Sequence, residues 1–315
     1  MSERTIVVLA GGLSHERDIS LRSGRRVADS LQQAGTRIIV RDPDANLLEY
    51  LGTERPDVVW PVLHGASGED GTLKALLDFL GLPFVGSGSE ATRLAWDKPT
   101  AKTLVARAGV PTPHWISLTR DSFRELGATA VLDVVERELP VPVVVKPARG
   151  GSAQGVRIVE TLEELPRAMV GAYTYWEAAL VEQKIVGTEI AVSIIDTGDG
   201  PVALPAVEIV PRSGVYSFEA RYTAGETRFY APARVPEEVG ARAAEVAIAA
   251  HTALGLRHIS RVDLMVDGAG TPWFLEASTM PGLTETSLFP LALEAAGHDV
   301  GWVYSALADA ALADR

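Results

Sequence analysis

The sequence predicts a mixed α/β and α+β protein, with a parallel-sheet domain at the N-terminus and a two-part α+β body after it. Three observations carry that reading. Strand and helix signals alternate from residue 4 to residue 95, the pattern of a parallel sheet. Between 143 and 159, two apolar runs flank a glycine-rich segment. From 259 to 278, two more flank Asp267-Gly268-Ala269-Gly270, turn chemistry that predicts a β-hairpin. The expected domains are 1–95, 96–182 and 183–315.

In the first domain a strand at 5–10 runs into Gly11-Gly12. A helix over 20–34 carries Leu21, Val27 and Leu31 and stops at Gly35. Strands follow at 36–40 and 57–63, then a helix at 71–80 ending at Gly81 and a short strand at 83–85. Ligands of such sheets gather at the carboxyl ends of strands. Those ends are Gly11-Gly12 and His64-Gly65. The second unit begins with a helix near Lys98 and holds strands at 143–146 and 156–159. The third is rich in strands and has one long helix. Pro236 opens it, Glu237 and Glu238 sit in its first turn, and Gly255 follows its end. Its apolar stripe is Val239, Ala243, Val246, Ala250 and Leu254.

A chain of 315 residues is long enough for two or three domains with real cores. Apolar residues make up 47%, yet no 18-residue run lacks charge, so no membrane span is expected. Thr5-Ile6-Val7-Val8-Leu9 reads as a strand with no basic region before it, so no secretion signal is expected. The absence of cysteine excludes disulfides, thiolate catalysis and Cys-based zinc sites, and makes a reducing cytoplasm the expected compartment. A net charge of −12 argues against a nucleic-acid surface. There is no Gly-x-Ser-x-Gly elbow, which removes the common serine-hydrolase architecture.

Side chains alternate faces along a strand. Arg261 and Asp263 therefore share one face of the hairpin's first strand, and Glu276 and Ser278 share one face of the second. A four-residue loop with symmetric pairing sets Arg261 opposite Glu276. One guanidinium and two carboxylates then meet among apolar neighbours. Either they form a buried ion-pair cluster, or a bound cation and an anionic ligand complete them. Arg149-Gly150-Gly151-Ser152-Ala153-Gln154-Gly155 lets the backbone approach a phosphate, with Lys146 adding charge, or it is an ordinary hairpin. It matches neither the P-loop nor the dinucleotide fingerprint. Val181-Glu182-Gln183-Lys184-Ile185, with Glu189 beyond, reads as a strand edge for a base and a ribose, or as a plain strand. Glu16 suits a substrate ammonium, or caps the helix near Ser20. His64 is an orienting group or an isolated histidine. Phe218 to Glu226 is a long polar connection, a lid bearing Arg221 and Tyr222 or a solvated loop.

In order, these segments resemble the D-alanine–D-alanine ligase family of the ATP-grasp superfamily. The resemblance runs from Leu9 to Pro290. It rests on Gly11-Gly12-x-Ser14-x-Glu16-Arg17-x-x-Ser20-x-x-Ser23-Gly24, the His64 to Gly71 loop, Asp97-Lys98 and Lys146-Pro-Ala-Arg-x-Gly-Ser152. Glu219-Ala-Arg-Tyr222, Arg261-x-Asp263 and Glu276-Ala-Ser-Thr-x-Pro-Gly282-x-Thr284-x-x-Ser287-Leu288 complete it. It implies that the two-part body is an ATP-grasp fold and that the chain is an ATP-dependent carboxylate–amine ligase. By this resemblance ATP lies between the second and third domains. Lys98, Lys146 and Arg221 meet its phosphates, and Glu182, Gln183, Ile185 and Glu189 frame adenine and ribose. Asp263, Glu276 and Ser278 hold two magnesium ions, with manganese as a substitute. One D-alanine becomes an acyl phosphate and the amine of the second attacks it. Arg261 and the Gly282 N–H stabilise the oxyanion. Glu16 holds the first ammonium, His64 orients substrate, and Ser287 and Leu288 seat the second carboxylate. Ser152 and Tyr222 bond across the closed lid with Glu16. A homodimer is also implied.

Four positions depart from the family pattern. Ser278 stands where Asn is usual, Arg221 where Lys is usual, and Gly150 where Glu is common. Ala148 is shared with ligases that make D-alanyl-D-lactate, but those place His where Tyr222 stands, so Tyr222 favours an amine nucleophile. The departures motivate two other readings. One is a specialised ligase for another amino acid or amine in secondary metabolism. The other is a nucleotide-binding protein with little catalysis.

Overall fold

A computed structural model describes residues 4–33 and 36–314. Its first sheet is parallel, in the order β2–β1–β3, from β1 (Thr5–Leu9), β2 (Arg37–Arg41) and β3 (Val58–Pro61). Helices α1 (Arg17–Gln33), α2 (Leu47–Glu54), α3 (Ala66–Glu69) and α4 (Thr72–Phe79) connect and flank it. The first helix starts three residues earlier than the hydrophobic pattern suggests. Its expected stop at Gly35 lies outside the described residues. The expected strand at 83–85 reduces to a single parallel bridge between Val59 and Phe84. Two further helices, α5 (Ser89–Trp96) and α6 (Lys98–Arg107), lead out of this domain. Asp97 separates them: its carboxylate accepts the Thr100 N–H at 3.0 Å and caps α6, with Pro99 in the first turn.

A second sheet, antiparallel, has the order β4–β7–β5–β6. Its strands are β4 (Trp115–Thr119), β5 (Val143–Pro147), β6 (Arg157–Val159) and β7 (Ala178–Gln183). Helices α7 (Arg120–Leu126), α8 (Ala128–Glu138) and α9 (Leu165–Tyr173) lie between them in sequence. The segment around Glu182 is therefore not a sheet edge. Its strand pairs with β4 on one side and β5 on the other, Glu182 facing both Trp115 and Val144. Chain leaves the sheet only after Gln183.

The third sheet has β8 (Gly187–Ile195), β9 (Val202–Ala203), β10 (Val207–Pro211), β11 (Thr227–Tyr230), β12 (Ile259–Asp267) and β13 (Pro272–Ser278). Its order is β11–β10–β8–β12–β13, with β9 on β8. A short helix, α10 (Phe218–Tyr222), interrupts the polar connection. The long helix α11 (Glu237–Ala253) packs on this sheet, and α12 (Leu288–Ala295) and α13 (Val300–Ala313) follow the hairpin. On α11 and its C-cap the expected Val239, Ala243, Ala250 and Leu254 are buried, together with Ala247 and His251; Val246 alone of the expected stripe is only half-buried. Among the described residues, no helix is long and apolar enough to cross a membrane.

The predicted hairpin forms, in a different register. Val266 faces Pro272, so five residues make the loop, and one extra residue, Leu275, bulges between the Asp263–Glu276 and Leu264–Phe274 pairs. Arg261 thus faces Ser278, and Asp263 faces Glu276. Asp267 builds the longer loop by accepting N–H groups of Ala269 and Thr271 and the indole N–H of Trp273, each within 2.8–2.9 Å. The bulge reverses the side-chain alternation. Phe274 points into the core with α11, while Leu275 and Glu276 face a cavity. Without the extra residue, Phe274 and Glu276 would share a face.

Four apolar cores result. One fills the second sheet on its own, including Val135, Val143, Leu165 and Val181. One covers the outer face of the first sheet. Another lies between α11 and the third sheet, with Ala101 and Val105 of α6. The largest joins the first domain to the last: Ile6, Val8, Trp60 and Leu31 pack with Val303, Tyr304 and Leu307 of α13 and with Ile259 and Val207.

His251 on α11 lies 2.8 Å from the Ser260 hydroxyl. Burial pushes its imidazole from 6.5 down to about 4. Below pH 6.5 the unfolded chain takes up a proton that the folded protein refuses until about pH 4, so stability falls through that window as pH drops. Urea unfolding between pH 7 and 4 should show a steeper acid loss for the parent than for His251→Gln; parallel curves would remove His251 from the acid response.

Candidate active site

Two cavities open side by side. One, about 320 Å³, lies between the second and third sheets, under the glycine-rich loop. The other, about 570 Å³, lies between the first domain and the hairpin. They share Lys98, Gly150, Gly151, Tyr216, Arg221 and Glu276.

Lys146 on β5, Glu182, Gln183, Ile185 and Glu189 line the smaller cavity with Asp263, Met265 and Leu275. Lys146 Nζ is 2.6 Å from Glu182, and Lys98 Nζ donates to the Gly150 carbonyl at 2.6 Å and sits 3.6 Å from Glu276. Burial works against both lysines. Lys98 is lowered despite Glu276, whereas Glu182 and Glu276 together hold Lys146 above the ordinary lysine range. Burial also pushes Glu189 up to about 7 against the pull of Arg221. The Arg221 guanidinium stacks 4.2 Å over the Tyr216 ring, and its Nε is buried without a hydrogen-bond partner.

Arg261 and Asp263 form a two-pronged pair, Nε and Nη2 donating to the two carboxylate oxygens at 2.6 and 2.7 Å. Against burial, Lys98 and Lys146 hold the Glu276 carboxyl down at about 2. Ser278 departs from the expected set: its hydroxyl donates to Glu69 Oε1 at 3.1 Å. Among the described residues, no group of three or more His, Cys, Asp or Glu side chains is arranged to hold a metal ion alone. The opposed Asp263 and Glu276 nonetheless offer the hard oxygen donors that a divalent cation takes, beside a cavity able to supply ligand oxygens.

In the larger cavity, three distant segments meet on one hydrogen-bond network. Ser152 donates to Glu16, its hydroxyl is 2.5 Å from Tyr222 Oη, and Tyr222 donates to Glu16 at 3.3 Å. The loop aims Ser152 there by placing Ser152 and Ala153 in the left-handed region, at φ 52° and 56°. Burial of the Tyr222 hydroxyl pushes it up to about 12, so it stays a donor. His64 is buried, which lowers its pKa; its Nε2 is 3.5 Å from Ser23 Oγ. At the far wall lie Gly282, Ser287 and Leu288. Ser287 Oγ accepts the Thr284 N–H at 3.1 Å, and Leu288 opens α12.

One acidic and one basic residue join this set without having been given a role from the sequence, although Glu69 belongs to the His64 to Gly71 loop on which the resemblance rests. Glu69 accepts the Gly65 N–H at 2.9 Å and is pushed up to about 7, first by burial and then by Glu16. Lys102 is fully buried behind Glu182, and four-residue spacing from Lys98 was its signal.

Comparison with known proteins follows the same lines. The family described as D-ala D-ala ligase C-terminus matches residues 104–309, and that described as D-ala D-ala ligase N-terminus matches 42–87. The D-alanine–D-alanine ligase of Pelotomaculum thermopropionicum is 40% identical over 290 residues, 92% of this chain and 91% of that protein. That of Gloeobacter violaceus is 41% identical over 313 residues, 98% and 99%. Among solved structures, a D-alanine–D-alanine ligase from Bacillus anthracis superposes with TM-score 0.84 at 29% identity, covering 99% of this chain and 98% of the other. The VanG D-Ala:D-Ser ligase from Enterococcus faecalis does so with TM-score 0.84 at 28% identity, covering 97% and 98%. With the motifs, the three sheets and the paired cavities, these likenesses place the chain in the D-alanine–D-alanine ligase family of the ATP-grasp superfamily, whose ligases join small carboxylate and amine substrates with ATP.

Proposed function

We propose that this chain joins two D-alanines in the cytoplasm as a homodimer, releasing ADP and phosphate. The observation that carries the reading is the junction of the two cavities at Lys98 and Glu276. A nucleotide in the smaller cavity would present its terminal phosphate there, to a carboxylate held in the larger one. Lys98, Lys146 and Arg221 would bind the phosphates, and Glu182 to Glu189 would border the base and ribose. Asp263 and Glu276 would hold magnesium, which when bound neutralises phosphate charge. Ser278 is engaged by Glu69, so the metal reading rests on the two carboxylates.

Glu16 would anchor the ammonium of the first D-alanine, leaving that substrate's carboxylate oxygen to attack the γ-phosphorus as ADP departs. The second amine, having lost a proton, would attack the acyl carbon, and phosphate would leave. Arg261 and the Gly282 N–H would steady the oxyanion between these events. Ser287 and Leu288 would seat the second carboxylate, and His64, neutral in its buried place, would orient substrate. The Glu16–Ser152–Tyr222 network would close the lid and exclude water from the acyl phosphate. Tyr222 favours an amine over a hydroxyl nucleophile.

The test is nucleotide release and product mass with a panel of D-alanine, D-serine, D-lactate and L-amino acids. ADP and D-alanyl-D-alanine are expected, with D-lactate poorly accepted at neutral pH. AMP and pyrophosphate would contradict acyl-phosphate chemistry. A different dipeptide or amide would favour the specialised ligase, which the Ser278–Glu69 contact motivates.

A further inference from the structure

Lys102 sits one helical turn after Lys98 on α6, with no exposed side-chain surface. Its ammonium is 2.8 Å from Glu182 Oε2 and donates to Thr112 Oγ1 at 2.7 Å. The other oxygen of Glu182 is 2.6 Å from Lys146. Thr112 in turn donates to the Phe274 carbonyl at 2.9 Å, beside the bulge that turns Glu276 toward the cavities. One buried carboxylate is thus shared by two lysines. Lys146 faces the cavity, and Lys102 is sealed behind it.

The charge count gives this arrangement a purpose. Lys98, Lys102 and Lys146 set three positive charges against Glu182 and Glu276, while Arg261 and Asp263 neutralise each other. Remove Lys102 and the remaining two lysines are matched one for one by carboxylates. Lys146 would then be committed to Glu182 alone, leaving no surplus lysine charge beside Arg221 for an incoming anion. Glu182 would also lose its second anchor and be free to follow Lys146 into the cavity.

We propose that Lys102 is a positioning residue of the nucleotide site, holding and half-neutralising Glu182 so that Lys146 stays available to phosphate. This rests on the nucleotide reading of the smaller cavity. It assigns Lys102 no contact with nucleotide.

Calorimetric titration of the full chain with ADP and magnesium tests it, using Lys102→Met, Glu182→Gln and the double variant. Lys102→Met should weaken ADP binding about tenfold. The KM for ATP should rise by a similar factor while the KM for the amino-acid substrate stays put. In the Glu182→Gln background the same substitution should change ADP affinity less than twofold, because no carboxylate is left to draw Lys146 away. Equal weakening in both backgrounds, or none in either, overturns the proposal. Should Lys102→Met alone fail to fold, Lys102→Gln is compared in the parent and Glu182→Gln backgrounds by the same criteria. A double variant that also fails to fold assigns Lys102 to the core and overturns the proposal. A parent that binds no ADP overturns the nucleotide reading along with it.

Discussion

Glu276→Gln is expected to lower kcat by about 10²–10³ while leaving the fold intact. The substitution keeps the side chain's shape and removes one charge. That charge is present at every working pH, because Lys98 and Lys146 hold the carboxyl at about 2 despite its burial. Glutamine would leave Lys98 without the carboxylate 3.6 Å from it and leave Asp263 alone on the facing strand. Both losses fall where the two cavities meet. The side chain borders open space rather than core, so the melting temperature should move little. Steady-state turnover with thermal unfolding of the same preparation checks this. Turnover within threefold of the parent would rule out Glu276 as the residue that organises the junction.

Arg261→Lys is expected to cost about 100-fold in kcat, although the positive charge is retained. Arg261 is half-buried and spends two nitrogens of its planar fork on Asp263. Lysine offers a single point of charge. It can pair with Asp263 or face the larger cavity, where a guanidinium does both. Asp263 would then sit in a less defined place opposite Glu276, so the variant should also need more magnesium for half-maximal activity. A folded Arg261→Lys with unchanged turnover would leave Arg261 as the partner of Asp263 and nothing more.

The sequence made the first sheet legible because its strands are short apolar runs punctuated by glycine. The second and third sheets were legible chiefly at their glycine-rich and charged hairpins. The register of the charged hairpin was not. Period-two alternation places Arg261 with Asp263 and Glu276 with Ser278, and both pairs share a face as expected. It is silent on a bulge at Leu275 or on a five-residue loop organised by Asp267, and those two features decide who faces whom. The helix over 300–313 was missed for a different reason. Val300 to Ala313 is alanine-rich and apolar on most sides, so it has little amphipathic contrast to detect. Contacts such as Ser278 with Glu69 and Ser152 with Tyr222 join residues 70 to 209 positions apart. No local pattern encodes them, and only the resemblance anticipated the second.

The core that joins Ile6, Trp60 and Leu31 to Val303, Tyr304 and Leu307 sets an order of events during synthesis. The parallel sheet emerges first, yet one face of it is covered only in part, by Val27 and Leu31 of α1, until the helix at 300–313 has been made. Through the translation of more than two hundred intervening residues, the part of that face meant for Val303, Tyr304 and Leu307 stays uncovered apolar surface. The middle sheet, whose core draws on residues 116–181 alone, has no such debt and can close as soon as it is complete. Folding of this chain is then not a procession from the N-terminus. The middle matures early, and the two ends wait for each other.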